Sequence, residues 1–170
     1  SRRLVSHLIE EHGRRKIVFL RGPEGNEDSF WRETGYLEAL SAHDLPVDQN
    51  LISVGGYDRF TAKEAIHTLI RNQIIFDSVF SGDDDAAIGV LQALKEEGKA
   101  VPKDVSVVGF DDQRLALFLY PPLTTVHAPT EQVGMLAAKQ LIKKIRGLPV
   151  EDIVLLPTEL VIRESCGCHS

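Results

Sequence analysis

The feature that most constrains the fold of this chain is the regular alternation of short apolar runs with longer amphipathic segments. The apolar runs predict four strands, at residues 16–20, 51–54, 77–80 and 105–109. The segments that follow the first three carry apolar residues at helical spacing, over residues 29–42, 61–72 and 84–97. Strands that alternate with helices in this way predict βαβ units, and therefore an α/β fold with a mostly parallel sheet.

Two further helices flank this alternation. The segment "SRRLVSHLIEEHG" opens the chain as an amphipathic helix that ends at Gly13, and no predicted strand precedes it. A second helix is predicted from about residue 130 to 145 and ends at Gly147. Each of these helices has an apolar stripe that needs a surface to pack on.

Composition narrows the classes of function. The chain has 170 residues, with 25 acidic against 19 basic side chains and a net charge of −6. Because Lys and Arg are not clustered, we do not expect this chain to bind nucleic-acid phosphates directly. No apolar stretch reaches membrane-spanning length, so we expect no membrane association. We predict a cytoplasmic, reduced setting, because the only two cysteines lie too close together to connect distant parts of the fold.

The cysteines lie in the C-terminal sequence "SCGCHS", at Cys166 and Cys168. A structural metal site needs four ligands, and this segment supplies only three. The histidines are scattered without a metal-ligand spacing. We therefore predict no metal site and no cofactor, and a frayed tail over residues 166–170.

Polar and aromatic side chains follow every predicted strand. They are Asp28, Trp31 and Arg32 after the first strand, Tyr57 after the second, Asp83 after the third, and Asp111 and Asp112 after the fourth. The carboxyl ends of parallel strands meet at one edge of a sheet, where open α/β folds bind their ligands. The pattern predicts a polar crevice rich in Asp, with one Arg and two aromatic rings.

Individual residues of this set have competing interpretations. Asp84 and Asp85 stand at the start of a helix and are expected to cap it, which leaves Asp83 free to contact a ligand. Asp112 is expected to order its own loop. Arg32 falls in a predicted first helical turn, where a cation is unfavourable, so a ligand or an Asp partner is expected beside it. Trp31 and Tyr57 suit either the core or a platform for a sugar or flat ring.

Enzymatic function finds little support in the motifs. The sequence lacks a G-x-S-x-G nucleophile motif and both common phosphate-binding glycine patterns. A metal-dependent phosphotransferase that uses Asp83 and Asp111 stays open as an alternative. We expect the chain not to be an enzyme.

Three long segments carry a family resemblance. They are "FDSVFSGDDDAAIGVLQALKEEGKAVPKDVSVVGFDD", "PPLTTVHAPTEQVGMLAAKQLI" and "LLPTELVIRESC". Together with "HLIEEHGRRKIVFLRGPEG" and "WRETGYLEALSAHDL", they resemble, in order, the effector-binding core of the lactose/galactose repressor family. The likeness covers essentially the whole chain.

This resemblance implies a domain organisation. The fold would be the C-terminal lobe of a type I periplasmic-binding-protein-like fold, an α/β open sheet with helices on both faces. Residues 13–122 and 150–165 would form that lobe. Residues 1–12 and 127–147 would be two helices of an incomplete N-terminal lobe, with apolar faces that are exposed or buried in a homodimer contact.

The resemblance also implies a function. Two lobes of such proteins close over a small effector, often a sugar or nucleobase, and control DNA binding by a helix-turn-helix domain that this chain does not include. Position by position, effector contacts would fall on Arg32, Tyr57, Asp83 and Asp111. Trp31 and Asp28 are further candidates for ligand contact. The family commonly has Asn where this chain has Asp83, which favours a cationic or donor-rich effector.

One alternative comes from the same fold. The ending "LVIRESCGC" resembles receptor domains that continue into a signalling module such as a histidine kinase or a diguanylate cyclase. In that case the ligand-sensing role would be the same, but the output would not be DNA binding.

Overall fold

The computed structural model describes residues 1–169. Its helices are α1 (Arg2–His12), α2 (Glu27–Ala42), α3 (Arg59–Arg71), α4 (Asp84–Glu96) and α5 (Thr130–Ile145). Its strands are β1 (Ile17–Arg21), β2 (Ile52–Val54), β3 (Ser78–Ser81), β4 (Ser106–Val108), β5 (Thr125–His127) and β6 (Glu159–Val161). The four predicted strands and the five predicted helices are therefore present, with ends that differ by a few residues.

The first four strands form one parallel sheet in the order β2-β1-β3-β4. Strands β5 and β6 pair with each other in antiparallel fashion. Two single bridges, from Val108 to Thr124 and from Asp111 to His127, run parallel and continue the sheet past β4. The prediction of an α/β fold with a mostly parallel sheet is confirmed.

Two apolar cores cover the two faces of the sheet. Successive side chains of a strand point to opposite faces, so Val18 and Leu20 lie in one core while Ile17 and Phe19 lie in the other. Helices α3 and α4 supply the first core, and α1 and α2 supply the second. The helices therefore flank the sheet on both sides, as the resemblance implied.

Helix α1 corrects one expectation. Its apolar residues Leu4, Val5 and Leu8 are fully buried, in the same core as Phe19 and Tyr36. The backbone N–H of Gly13, which has a left-handed φ of 63°, closes the helix on the carbonyl oxygen of Ile9. The expectation that residues 1–12 have an apolar face that is exposed or buried in a homodimer contact is wrong, because this face covers the sheet of its own chain.

Helix α5 behaves in the opposite way. None of its described side chains is buried, and Leu141 and Ile145 are 59% and 77% exposed. The expectation of an uncovered apolar face holds for this helix. Residues 153–155, which follow it, are exposed as well.

The C-terminal segment also differs from its prediction. A short 3₁₀ helix spans Glu164–Cys166, and both Ser165 and Cys166 are buried. The Ser165 hydroxyl donates a hydrogen bond of 2.6 Å to the carbonyl oxygen of Val107 in β4. A frayed tail over residues 166–170 is therefore wrong for Cys166, while Ser170 lies outside the described residues. Across residues 1–169, no helix combines the length and apolar character that crossing a membrane requires.

Candidate ligand-binding site

A cavity of about 1090 Å³ opens at the carboxyl ends of the parallel strands. All six residues that the sequence singled out as ligand contacts line it: Asp28, Trp31, Arg32, Tyr57, Asp83 and Asp111. They follow four different strands, with Asp28, Trp31 and Arg32 in helix α2 and the other three in the connections after β2, β3 and β4. The expectation that these connections meet in one crevice agrees with the geometry.

Arg32 forms part of the cavity wall. Its Nη1 donates a 2.5 Å hydrogen bond to the carbonyl oxygen of Gly82, and its Nη2 lies 3.1 Å from Asp111 Oδ1. Its side chain is only 11% exposed. Helix α2 begins at Glu27 with Asn26 as its N-cap, so Arg32 is in the second turn and not the first. The expected Asp partner is present, and it is Asp111.

Two aromatic rings enclose the Arg32 guanidinium. Its Cζ lies 4.9 Å from the ring centroid of Tyr57 and 4.3 Å from that of Phe110. Such cation–π contacts attract a guanidinium to the faces of the rings. Phe110 was missed in the sequence, where its position between a strand end and Asp111 was the available signal.

Tyr57 takes its place because two glycines make room for it. A Cβ at Gly22 would lie 2.3 Å from the Tyr57 ring, and one at Gly82 would lie 2.7 Å from it. Tyr57 itself has a left-handed φ of 59°. Its hydroxyl is buried and finds no hydrogen-bond partner among residues 1–169. Because this hydroxyl is buried beside Ser29, the Tyr57 ring and not the hydroxyl lines the cavity.

Asp83 is the N-cap of helix α4. Its Oδ1 accepts a 2.9 Å hydrogen bond from the backbone N–H of Ala86. Burial raises the pKa of Asp83 to about 6, against the effect of that hydrogen bond. The expectation that Asp84 and Asp85 cap the helix is wrong, because the preceding acid does so.

Asp84 and Asp85 instead connect α4 to its neighbours. Asp84 accepts hydrogen bonds from the Thr125 hydroxyl at 2.6 Å and from the Gln113 backbone N–H at 2.7 Å. Asp85 forms an ion pair with Arg59 at the start of α3. Asp84 therefore holds the loop after β4 in place, and this loop carries Asp111.

Asp111 and Asp112 have different roles, and the role of Asp112 agrees with the expectation that it orders its own loop. Asp112 accepts a 2.7 Å hydrogen bond from Arg163 Nη2 and lies 3.1 Å from His127 Nδ1, so it orders the loop. Both acids have positive φ, 104° for Asp111 and 55° for Asp112. Burial raises the pKa of Asp111, and the positive charge of Arg32 opposes that rise.

Trp31 and Asp28 lie at the rim. Trp31 is 60% exposed, and its Nε1 donates a 3.4 Å hydrogen bond to Glu27 Oε1. Asp28 is exposed. Because both line the cavity without being held inside it, their contact with a ligand stays a prediction.

The arrangement presents a fixed guanidinium and a carboxylate side by side, framed by aromatic rings. A guanidinium only donates hydrogen bonds and a carboxylate only accepts them. A small molecule whose hydroxyl groups both donate and accept matches this pair.

Comparison with known proteins identifies the family of this chain. Residues 5–166 match the family described as periplasmic binding protein-like domain. The chain belongs to that family. Members with similar sequences include the HTH-type transcriptional regulator CelR of Thermobifida fusca, which is 35% identical over 97% of this chain and 48% of its own length. The probable repressor ExuR of Bacillus subtilis is 33% identical over 97% of this chain and 50% of its own length.

Solved structures of the family agree. A LacI-family regulator from Sanguibacter keddieii superposes with a TM-score of 0.90 at 35% identity, over 98% of this chain and 63% of that protein. A CelR–cellobiose complex superposes with a TM-score of 0.89 at 34% identity, over 94% of this chain and 49% of that protein. The chain spans about half the length of the curated relatives it matches. The resemblance to the lactose/galactose repressor family is thereby confirmed.

Proposed function

We propose that this domain senses a small polar effector, of the sugar class or a similar metabolite, for a transcriptional regulator of the lactose/galactose repressor family. The observation that carries the proposal is the Arg32–Asp111 pair in the cavity wall, 3.1 Å apart, with the Arg32 guanidinium against the rings of Tyr57 and Phe110. A sugar offers hydroxyl groups to the charged pair and an apolar C–H face to an aromatic ring.

The relatives support this effector class. One similar structure is a CelR–cellobiose complex, and another similar sequence is named ribose operon repressor, from Escherichia coli. Asp83 adds a buried carboxyl group to the wall, where the resemblance predicts Asn. Because a carboxylate cannot donate a hydrogen bond, we propose that the effector brings an extra donor or a positive charge to this position.

The rest of the regulator follows from the same proposal. A second lobe would close over the cavity, and a helix-turn-helix domain outside this chain would bind DNA. The regulator would act in the cytoplasm without enzymatic turnover and as a homodimer. A structure of dimeric lac repressor, which superposes on this chain with a TM-score of 0.88, supports the last point.

The alternatives gain no such support. Asp111 is paired with Arg32, and Asp83 caps helix α4. A phosphotransferase metal site that used these two acids would have to displace both contacts. The ending "RESC" is bound to the fold by hydrogen bonds from Arg163 to the carbonyl oxygen of Leu123 and from Ser165 to that of Val107 in β4. This structural role accounts for the ending without a fused signalling module.

A thermal-shift screen tests the proposal. The panel holds cellobiose, ribose, other sugars, nucleosides and amino-sugar derivatives, and the protein is extended to include the second lobe. A ligand at a hundred times its dissociation constant stabilises a fold by about 2.7 kcal/mol, which such a screen detects. We expect stabilisation by a sugar or amino sugar. A well-folded protein that no compound stabilises would contradict the proposal and point to a partner protein as the signal.

A further inference from the structure

The two ends of the chain meet in a cluster of metal-ligating side chains. His7 and His12 on helix α1 face Cys166 and Cys168 at the C-terminus. One ligand atom from each of the four residues lies within 4.8 Å of the others. Cys168 Sγ is 3.6 Å from His7 Nε2 and 3.4 Å from His12 Nε2. Both cysteines are free thiols.

The two separations between Cys168 and the histidines match a tetrahedral ion. Zinc binds Cys sulfur at about 2.3 Å and His nitrogen at about 2.0–2.1 Å, which places neighbouring S and N ligands about 3.5 Å apart in a tetrahedron. The two distances from Cys168 to the histidine nitrogens lie on either side of that value. Two imidazoles and two thiolates are also the donor set that favours zinc over hard cations such as Mg²⁺.

We propose that His7, His12, Cys166 and Cys168 form a structural zinc site. The site is closed, because four protein ligands complete the coordination of a tetrahedral ion and leave no position for a substrate. Its role is therefore to join helix α1 to the C-terminal segment.

The surrounding residues hold the ligands in place. The carbonyl oxygen of Cys166 accepts a 2.6 Å hydrogen bond from the Ser106 hydroxyl, and the Thr124 hydroxyl lies 3.1 Å from Cys166 Sγ. Gly167, between the two cysteines, has a φ of 118°. A Cβ at Gly167 would lie 2.9 Å from His12 Nδ1. A glycine is thus required where the chain turns its second cysteine towards the histidines.

The zinc site and the candidate ligand-binding site lie at opposite ends of strand β4. Ser106, which holds Cys166, is the first residue of β4. Asp111, which pairs with Arg32, lies beyond the last residue of that strand. Zinc binding should therefore leave effector recognition unchanged and act on stability alone.

Metal titration of the purified, reduced chain tests the site. We expect one zinc ion per chain after incubation with ZnCl₂ and dialysis, measured by elemental analysis. Titration with CoCl₂ should give the visible bands of tetrahedral cobalt and a sulfur-to-cobalt charge-transfer band. Removal of zinc by a chelator should lower the melting temperature, and zinc should restore it.

Variants locate the site. We expect Cys168→Ser and His12→Asn each to weaken zinc binding at least about 100-fold, because even an outer-shell change costs about 10–100-fold. Both residues are less buried than Cys166, so the variants should keep the fold, as circular dichroism will verify. His67→Asn is the matched control, since His67 contacts Glu96 and Glu97 on another part of the surface.

Three results would overturn the proposal. The first is a zinc content that Cys168→Ser and His12→Asn leave unchanged. The second is a cobalt complex without the charge-transfer band. The third is oxidation of Cys166 and Cys168 to a disulfide by dissolved oxygen that proceeds as fast with excess zinc as without it.

Discussion

Three neighbouring acids show how closely the role of a side chain depends on its tertiary surroundings. Asp83 caps helix α4, Asp84 holds the loop after β4, and Asp85 pairs with Arg59. Burial raises the pKa of Asp84 to about 6, as it does for Asp83. Two partly desolvated acids beside the cavity are tolerated because each accepts a backbone hydrogen bond.

We predict that Asp83→Asn stabilises the fold at neutral pH. The folded-state pKa of Asp83, about 6, exceeds its ordinary value of 3.8, so the folded protein binds more protons between these two values. The carboxylate therefore costs stability above pH 6, and this cost fades as the pH falls towards 4. Asn removes the charge and still caps the helix.

Urea unfolding at two pH values measures this effect. The gain from Asp83→Asn should be larger at about pH 7.5 than at about pH 5, by about 1 kcal/mol. Asp152→Asn, at an exposed position, controls for the loss of one negative charge. A gain that does not depend on pH would show that burial of the charge is not its cause.

The location of the cavity residues could be predicted from the sequence more completely than the contacts that they make. Arg32, Tyr57 and Asp111 follow strands, and parallel strands end at one edge, so their common location was predictable. The place of Phe110 over the guanidinium was not, because side-chain direction after a strand depends on the loop. The role of Asp84 was hidden because its partner Thr125 is 41 residues away.

Helices α1 and α5 illustrate a second limit of sequence patterns. Both have an apolar stripe, and both were expected to lack a covering surface. Helix α1 packs on the sheet, whereas α5 has no buried side chain among those described. Periodicity indicates that one face of a helix is apolar, but it does not identify the surface that the face covers.

A matched pair of substitutions tests this difference. Leu8 in α1 is fully buried and Leu141 in α5 is 59% exposed. Leu8→Ala should lower the free energy of unfolding by about 2–5 kcal/mol, because it leaves a cavity in the core. At protein concentrations low enough to keep the chain monomeric, Leu141→Ala should change it by no more than about 0.5 kcal/mol. Equal losses in chemical denaturation would mean that α5 is packed in solution.

The whole molecule has an uncovered apolar surface, made of α5 and the residues around 153–155. We predict that the chain self-associates through α5, in line with the proposed homodimer. Sedimentation velocity should show a dimer fraction that grows with concentration and that Ile145→Glu reduces. Gln132→Glu adds the same charge to the same helix at a polar position and is the control. A strictly monomeric chain at high concentration would argue against this interface.

The two ends of the parallel strands have different roles. The carboxyl edge collects Arg32, Tyr57 and Asp111, and the amino end of β4 lies near the zinc cluster of His7, His12 and the two cysteines. The alternation of strands and helices was enough to predict that ligand-contact residues collect at the carboxyl ends of the strands. The cluster of metal-ligating side chains near the amino end of β4 could not be predicted. Its residues come from opposite ends of the chain, and only the packing of α1 on the sheet brings them together.

Calorimetric titration of the effector found by the screen tests the central claim most directly. Arg32→Ala should weaken binding by about 30-fold or more, because a charge-assisted hydrogen bond contributes about 2 kcal/mol. Arg71→Ala removes the same charge from an exposed position on α3 and should leave the affinity within about twofold. If a folded Arg32→Ala protein binds the effector as tightly as the unmodified chain, the cavity at the carboxyl edge is not the sensing site.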